Sequence, residues 1–211
     1  MTAETDLDGL AAVLRDRARA GRVVCAIAGA PGSGKSTLAE RLAETLNAGA
    51  PGAAAVLPMD GFHYDDTWLV PAGLRPVKGA PRTFDVGGLF HALCRIKTAD
   101  EAFVAVPVFD REIEIARAGA RLIGREVPVI VVEGNYLLLT TGDWPRLRPL
   151  FHVTVMVEAP EPVLRARLRA RWKGYGLAED EIARKLDGND LPNGRLIVAG
   201  SAAADYRIAN G

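Results

Sequence analysis

Cysteine is scarce: two thiols in 211 residues leave room for one disulfide at most. Cys25 stands in the apolar run 23–28, where a buried, reduced thiol is expected. No stretch approaches the ~18 apolar residues that a bilayer-spanning helix needs. The start, with Glu4, Asp6 and Asp8, is unlike a secretory leader. The expectation is a cytoplasmic protein without a membrane partner. An excess of charge is lacking too: 26 basic residues stand against 26 acidic ones, so nothing advertises nucleic acid as a partner. Lysine is rare, with arginine supplying 21 of the 26 basic residues, a bias that suits phosphate recognition. There is no fixed-period repeat, low-complexity tract or long linker. Residues 1–211 therefore read as a single domain, with a small lid at about 161–190. A homodimer is compatible with all of this.

What is present is hydrophobic periodicity. Leu10, Val13 and Leu14 predict an amphipathic helix over 7–19. A short strand at 23–28 and a helix at 36–46 follow, then a strand at 53–57 and a loop rich in glycine and proline at 70–83. Asp85 can cap a helix that runs to about Lys97. Further strands are expected at 103–108, 127–132, 151–157 and 206–209, and helices at 161–172 and 179–186. The stretch between Val108 and Arg125 is ambiguous, irregular or a small hairpin. Strands alternating with helices argue for an α/β fold with a mainly parallel sheet covered on both faces.

Between the first two of these sheet and helix elements lies Gly29-Ala30-Pro31-Gly32-Ser33-Gly34-Lys35-Ser36, with Thr37 next on the helix. This G-x-x-x-x-G-K-S run is a Walker A loop in its required strand–loop–helix context. Glycines admit positive φ and close backbone approach, so successive N–H groups can cradle phosphate oxygens at the positive end of a helix dipole. Lys35 is placed for the β- and γ-phosphates and the Ser36 hydroxyl for Mg²⁺.

The asparagines are not followed by lysine, so the base-reading motif of a GTPase is missing, and so is the Ser-Gly-Gly signature of an ABC-type ATPase. Two Asp-x-x-Gly matches, starting at Asp6 and Asp85, follow no strand. Kinases and regulatory nucleotide binders remain. In a parallel α/β sheet the ligand crevice lies at the carboxyl ends of the strands. Asp60 and Glu133 each stand just past such an end. If these strands neighbour the one before the loop, Asp60 can serve as the base for an acceptor hydroxyl. Glu133 can then serve as the metal-side acid. The bland alternatives are a turn residue before Gly61 and a helix-capping carboxylate.

With these residues in hand, the chain resembles the phosphoribulokinase/uridine kinase family over nearly its whole length. The matching motifs are GAPGSGKS at 29–36, MDGFHYD at 59–65, KGAPRTFD at 78–85, PVFDR at 107–111, VVEGNYLLL at 131–139 and NDLPNGRLI at 189–197. The variants MDGFHYD and EGNYLLL look most like the branch labelled a fructose-transport-associated kinase. The resemblance implies a three-layer α/β/α sandwich of the P-loop NTPase kind with a small helical lid. It also implies ATP with Mg²⁺ and a small-molecule hydroxyl acceptor: a sugar, a nucleoside or a pantothenate-like alcohol. It carries Asp60 over as base and Glu133 as metal-side acid. Acceptor contacts are implied from His63, Tyr64, Arg82, Phe84, Asp85, Phe109 and Arg111. Arg82 and Arg111 can pair with an anionic group, although Arg111 can equally bridge a surface acid, Phe84 and Phe109 can be core, and Asp85 can be a helix cap.

For the lid, Leu164, Leu168 and Trp172 form a stripe expected to bury, flanked by Arg165 and Arg169 on one side and Arg167 and Arg171 on the other. One or two of the four are expected on phosphate, with Arg169 and Arg171 favoured by the resemblance. Gly174 and Gly176 supply a hinge. The rival to a kinase is a regulatory protein that binds ATP, hydrolyses it slowly and needs no acceptor.

Overall fold

A computed structural model describes residues 2–211. The first half supplies β1 (Ala3–Glu4), α1 (Leu7–Ala18), β2 (Val23–Gly29), α2 (Lys35–Gly49), β3 (Ala54–Pro58), α3 (Asp66–Leu69) and α4 (Val86–Thr98). The second half supplies β4 (Phe103–Asp110), β5 (Ile115–Gly124), β6 (Val129–Gly134), β7 (Val153–Glu158), α5 (Glu161–Gly174), α6 (Glu179–Lys185), α7 (Leu191–Gly200) and β8 (Tyr206–Ala209).

Six strands form one sheet in the order β1-β8-β7-β2-β6-β3, with every pairing parallel. Strand β2 is buried along its whole length, as its unbroken apolar run requires of a central parallel strand. Its side chains alternate between two cores. Val24, Ala26 and Ala28 meet Leu89 and Leu93 of α4, while Cys25 and Ile27 meet Leu10 and Leu14 of α1 and Leu42 and Leu46 of α2. Helices on both faces make the α/β/α sandwich expected from the motifs. Burial pushes the Cys25 thiol up to about 12, which leaves it inert. Both cysteines are free.

The strand expected at 103–108 forms but stays out of the sheet. It pairs antiparallel with β5, and a register shift at Pro107 bends the ribbon. The ambiguous stretch thus resolves as the hairpin alternative. Val104, Val106 and Ile123 turn inward, while Phe103 and Leu122 stay exposed. The loop at 70–83 folds into short turns rather than extended chain, with 3₁₀ segments at Arg75–Val77 and Pro81–Thr83. Between residues 186 and 206, where no element was expected, a π turn at Leu186–Asp190 leads into α7. Among the described residues no helix is long and apolar enough to cross a membrane.

Candidate active site

Strand order makes the site. Because β6 lies between β2 and β3, the residue level with Glu133 is Ile27 on one side and Pro58 on the other. The phosphate loop, Asp60 and Glu133 therefore emerge at one edge of the sheet. Gly134 must be glycine, since a Cβ there would lie 2.4 Å from Met59 Cβ. Gly61 is equally confined, with Pro107 O 2.2 Å from the place of its Cβ.

Gly32 and Gly34 hold φ of 81° and 91°, which L side chains rarely adopt. A Cβ on Gly34 would also meet Asn210 Nδ2 at 2.2 Å. That amide donates to Ser33 O at 2.7 Å, so the C-terminal end of the chain braces the loop. Arg167 adds donations to Asn210 O at 2.9 Å and Gly32 O at 3.4 Å. The glycine φ values, the unpartnered buried Ser33 Oγ and the start of α2 at Lys35 are the features of a phosphate cradle. Ser36 Oγ donates to Glu133 Oε2 at 3.0 Å, an oxygen pair suited to Mg²⁺. Among the described residues no group of three His, Cys, Asp or Glu could hold a metal by itself. A hard cation here would complete its shell with phosphate oxygen and water.

The charges are coupled through burial. Burial lowers the Lys35 ammonium, opposed by Glu133 and Asp60 and reinforced by Arg171 and Arg111. Burial raises the Glu133 carboxyl, with Lys35 pulling against it. Burial would raise Asp60 as well, yet Arg111, His63 and Lys35 together hold it below the ordinary carboxylate range. Arg111 Nη2 is ion-paired to Asp60 Oδ2, so the bridge expected of Arg111 forms, but with the candidate base. His63 Nδ1 lies 2.7 Å from Asp60 O, and a carbonyl only accepts, so the Nδ1 tautomer is fixed. Burial lowers the His63 imidazole, keeping it neutral at pH 7. Its ring packs between Phe84 and Phe109, at 4.0 and 4.8 Å between centroids.

Of the seven acceptor candidates, His63, Phe84, Phe109 and Arg111 line one cavity with Lys35 and Asp60. Tyr64 and Arg82 lie elsewhere, in a neighbouring cavity with Asp143 and Trp144, and Phe84 is the wall between the two. Asp85 caps α4, accepting from Gly88 N at 2.7 Å. In the lid, Leu164 and Leu168 are buried against Ala30, and Trp172 is half-buried with its indole N–H donating to Asp190. Arg171 reaches the cavity. Arg169 pairs with Glu179 on the surface and Arg165 with Asp187.

Several cavity residues had no assigned role in the sequence. Lys78, Asn135, Asn189, Asp190 and Asn193 all line it, and each lies inside a motif quoted above, which was the available signal. Arg75 lines it as well, and Asn210 braces the loop; for these two no local pattern exists, whereas Arg167, which also braces the loop, is one of the four arginines flanking the lid stripe.

No protein-family model matches the chain. A solved structure from Silicibacter sp. TM1040, described as a "putative fructose transport system kinase", is 42% identical with a TM-score of 0.82, covering 96% of this chain and 98% of that one. The "uncharacterized protein YggC" of Escherichia coli K12 is 34% identical over 189 residues, 89% of this chain and 77% of the relative. A Schizosaccharomyces pombe protein named "putative uridine kinase C227.14" is 35% identical over 181 residues, 82% and 76% of the two chains. The chain belongs to the phosphoribulokinase/uridine kinase family of P-loop kinases.

Proposed function

From that membership we propose that the chain moves the γ-phosphoryl group of ATP to a hydroxyl of a small polar metabolite, with Asp60 accepting the hydroxyl proton. The chain is an ATP-dependent small-molecule kinase. The single observation that carries it is the convergence of Lys35 and Asp60 on one cavity that also has a walled acceptor side. A nucleotide switch has no use for such a cavity.

In this reading the loop 29–36 and Thr37 grip the triphosphate, and Lys35 and Arg171 neutralise charge on the transferring group. Ser36 and Glu133 would hold Mg²⁺, which would supply charge neutralisation at the transferring phosphates. The acceptor enters the cavity along the wall that the packed rings of His63, Phe84 and Phe109 form. Arg111 occupies Oδ2 of Asp60, and among the described residues no hydrogen bond engages Oδ1, which is left for the attacking hydroxyl. With Leu164 and Leu168 seated on Ala30, the lid would keep water from the transferring group, which favours transfer over hydrolysis. A cytoplasmic setting, where ATP is supplied, goes with this chemistry.

Asp60→Asn keeps the size and removes the base. Its kcat for acceptor phosphorylation should fall by ~10²–10⁴-fold, with the KM for ATP within a few-fold of the parent. An unimpaired Asp60→Asn enzyme would sink the assignment.

A further inference from the structure

The cavity carries more cationic donors than one transferring phosphoryl group uses. Arg171 and Arg111 lie close enough to Lys35 to disfavour its charge, and Arg75 and Lys78 line the same cavity. These two share a carboxylate of their own. Arg75 Nε and Lys78 Nζ both donate to Asp66, the latter at 2.7 Å, and Lys78 also donates to Glu114 O at 2.8 Å. One carboxylate shared by two cations leaves a positive charge. Glu114 lines the cavity, and its side chain is ion-paired to neither among the described residues. The Arg75 Nη groups likewise make no hydrogen bond among the described residues. Asn135 Oδ1 is buried at the same cavity without a donor, an arrangement that native interiors seldom leave unsatisfied. The cavity measures about 110 Å³, well under the ~300 Å³ at which sites for drug-sized ligands begin.

We infer that the acceptor is a compact hydroxylated anion, its carboxylate or phosphate held by Arg75 and Lys78 and one hydroxyl donating to Asn135 Oδ1. This rests on the kinase reading of the same site. It moves the anion-binding role away from Arg82, which the fold puts behind Phe84. Two cations sharing one carboxylate are predisposed to a second anion, because a bidentate guanidinium contact is lost with a neutral analogue.

The test is ADP release from Mg·ATP with matched pairs: D-glycerate and glycerol, D-gluconate and D-glucose, D-fructose 6-phosphate and D-fructose, with uridine alongside. At least one charged member should turn over, with kcat/KM at least ~10–100-fold above its neutral partner. Carboxylate and phosphate arms identify the source of the charge. Arg75→Gln, at a half-exposed position, should raise the KM for the charged acceptor about 10-fold or more and leave the KM for ATP unchanged. Turnover of neutral sugars or uridine in preference to the anions overturns the inference and leaves the kinase reading standing. If no acceptor turns over, the same anions are titrated into the Mg·AMP-PNP complex. A rise in melting temperature that Arg75→Gln abolishes supports the inference, and no rise overturns it along with the kinase reading of the cavity.

Discussion

Asp60 is under opposed pressures, because burial favours its neutral form while Arg111 and Lys35 favour the carboxylate, joined by His63 at acid pH where its imidazole is protonated. The cations win, so the base stays ionised below the ordinary carboxylate range. A base works deprotonated, so activity should be lost only as pH falls through this depressed value. Arg111→Gln removes the largest of the three opposing charges and should move the acid limb of the kcat/KM profile to higher pH. A limb that stays in place in the variant would mean that Arg111 does not tune Asp60. The candidate base was legible because it follows a strand end and precedes glycine. Its partner was not, since Arg111 lies 51 residues away and comes to Asp60 only through the hairpin. The same holds for Asn210, whose bond to Ser33 O spans 177 residues.

At the level of elements, α5 shows how a stripe becomes a lid. Leu168 is buried against Ala30 and Leu164, and its Cγ lies 3.1 Å from where a Gly32 Cβ would sit. Leu168→Ala should therefore cost about 2–5 kcal/mol in denaturant unfolding. It should also raise the KM for ATP, because the helix that carries Arg167 and Arg171 loses its seat on the loop. A destabilised variant with an unchanged KM would show that lid packing and nucleotide binding are independent. The four-residue spacing of Leu164, Leu168 and Trp172 announced the buried stripe. Which flanking arginine serves the site did not follow from that spacing. Glu179 and Asp187 neutralise Arg169 and Arg165, and both acids come from the next segment of the lid. Strand β4 makes the complementary point, for its apolar run was visible but the choice of β5 over the main sheet was a matter of partner.

For the whole molecule, ligand binding and folding are linked, since the loop is braced from α5 and from the C-terminal residues at once. AMP-PNP with Mg²⁺ at ~100 times its Kd should add ~2.7 kcal/mol to stability. For a chain of this size that raises the melting temperature by several degrees. Lys35→Ala should abolish the rise, and a persisting rise would place the nucleotide elsewhere. The sequence by itself determined the phosphate loop, the acids at strand ends and the alternation of strand and helix. Each of these is written within a few neighbouring residues, where backbone conformation and burial period act directly on side-chain choice. The tertiary structure alone decided that β6 lies between β2 and β3, that Phe84 divides Tyr64 and Arg82 from Asp60, and that Arg75, Lys78 and Asn135 line the cavity with Asp60. Those outcomes depend on which distant segments pack together, and packing partners are chosen by the shape and charge of the folded chain, which no local pattern encodes.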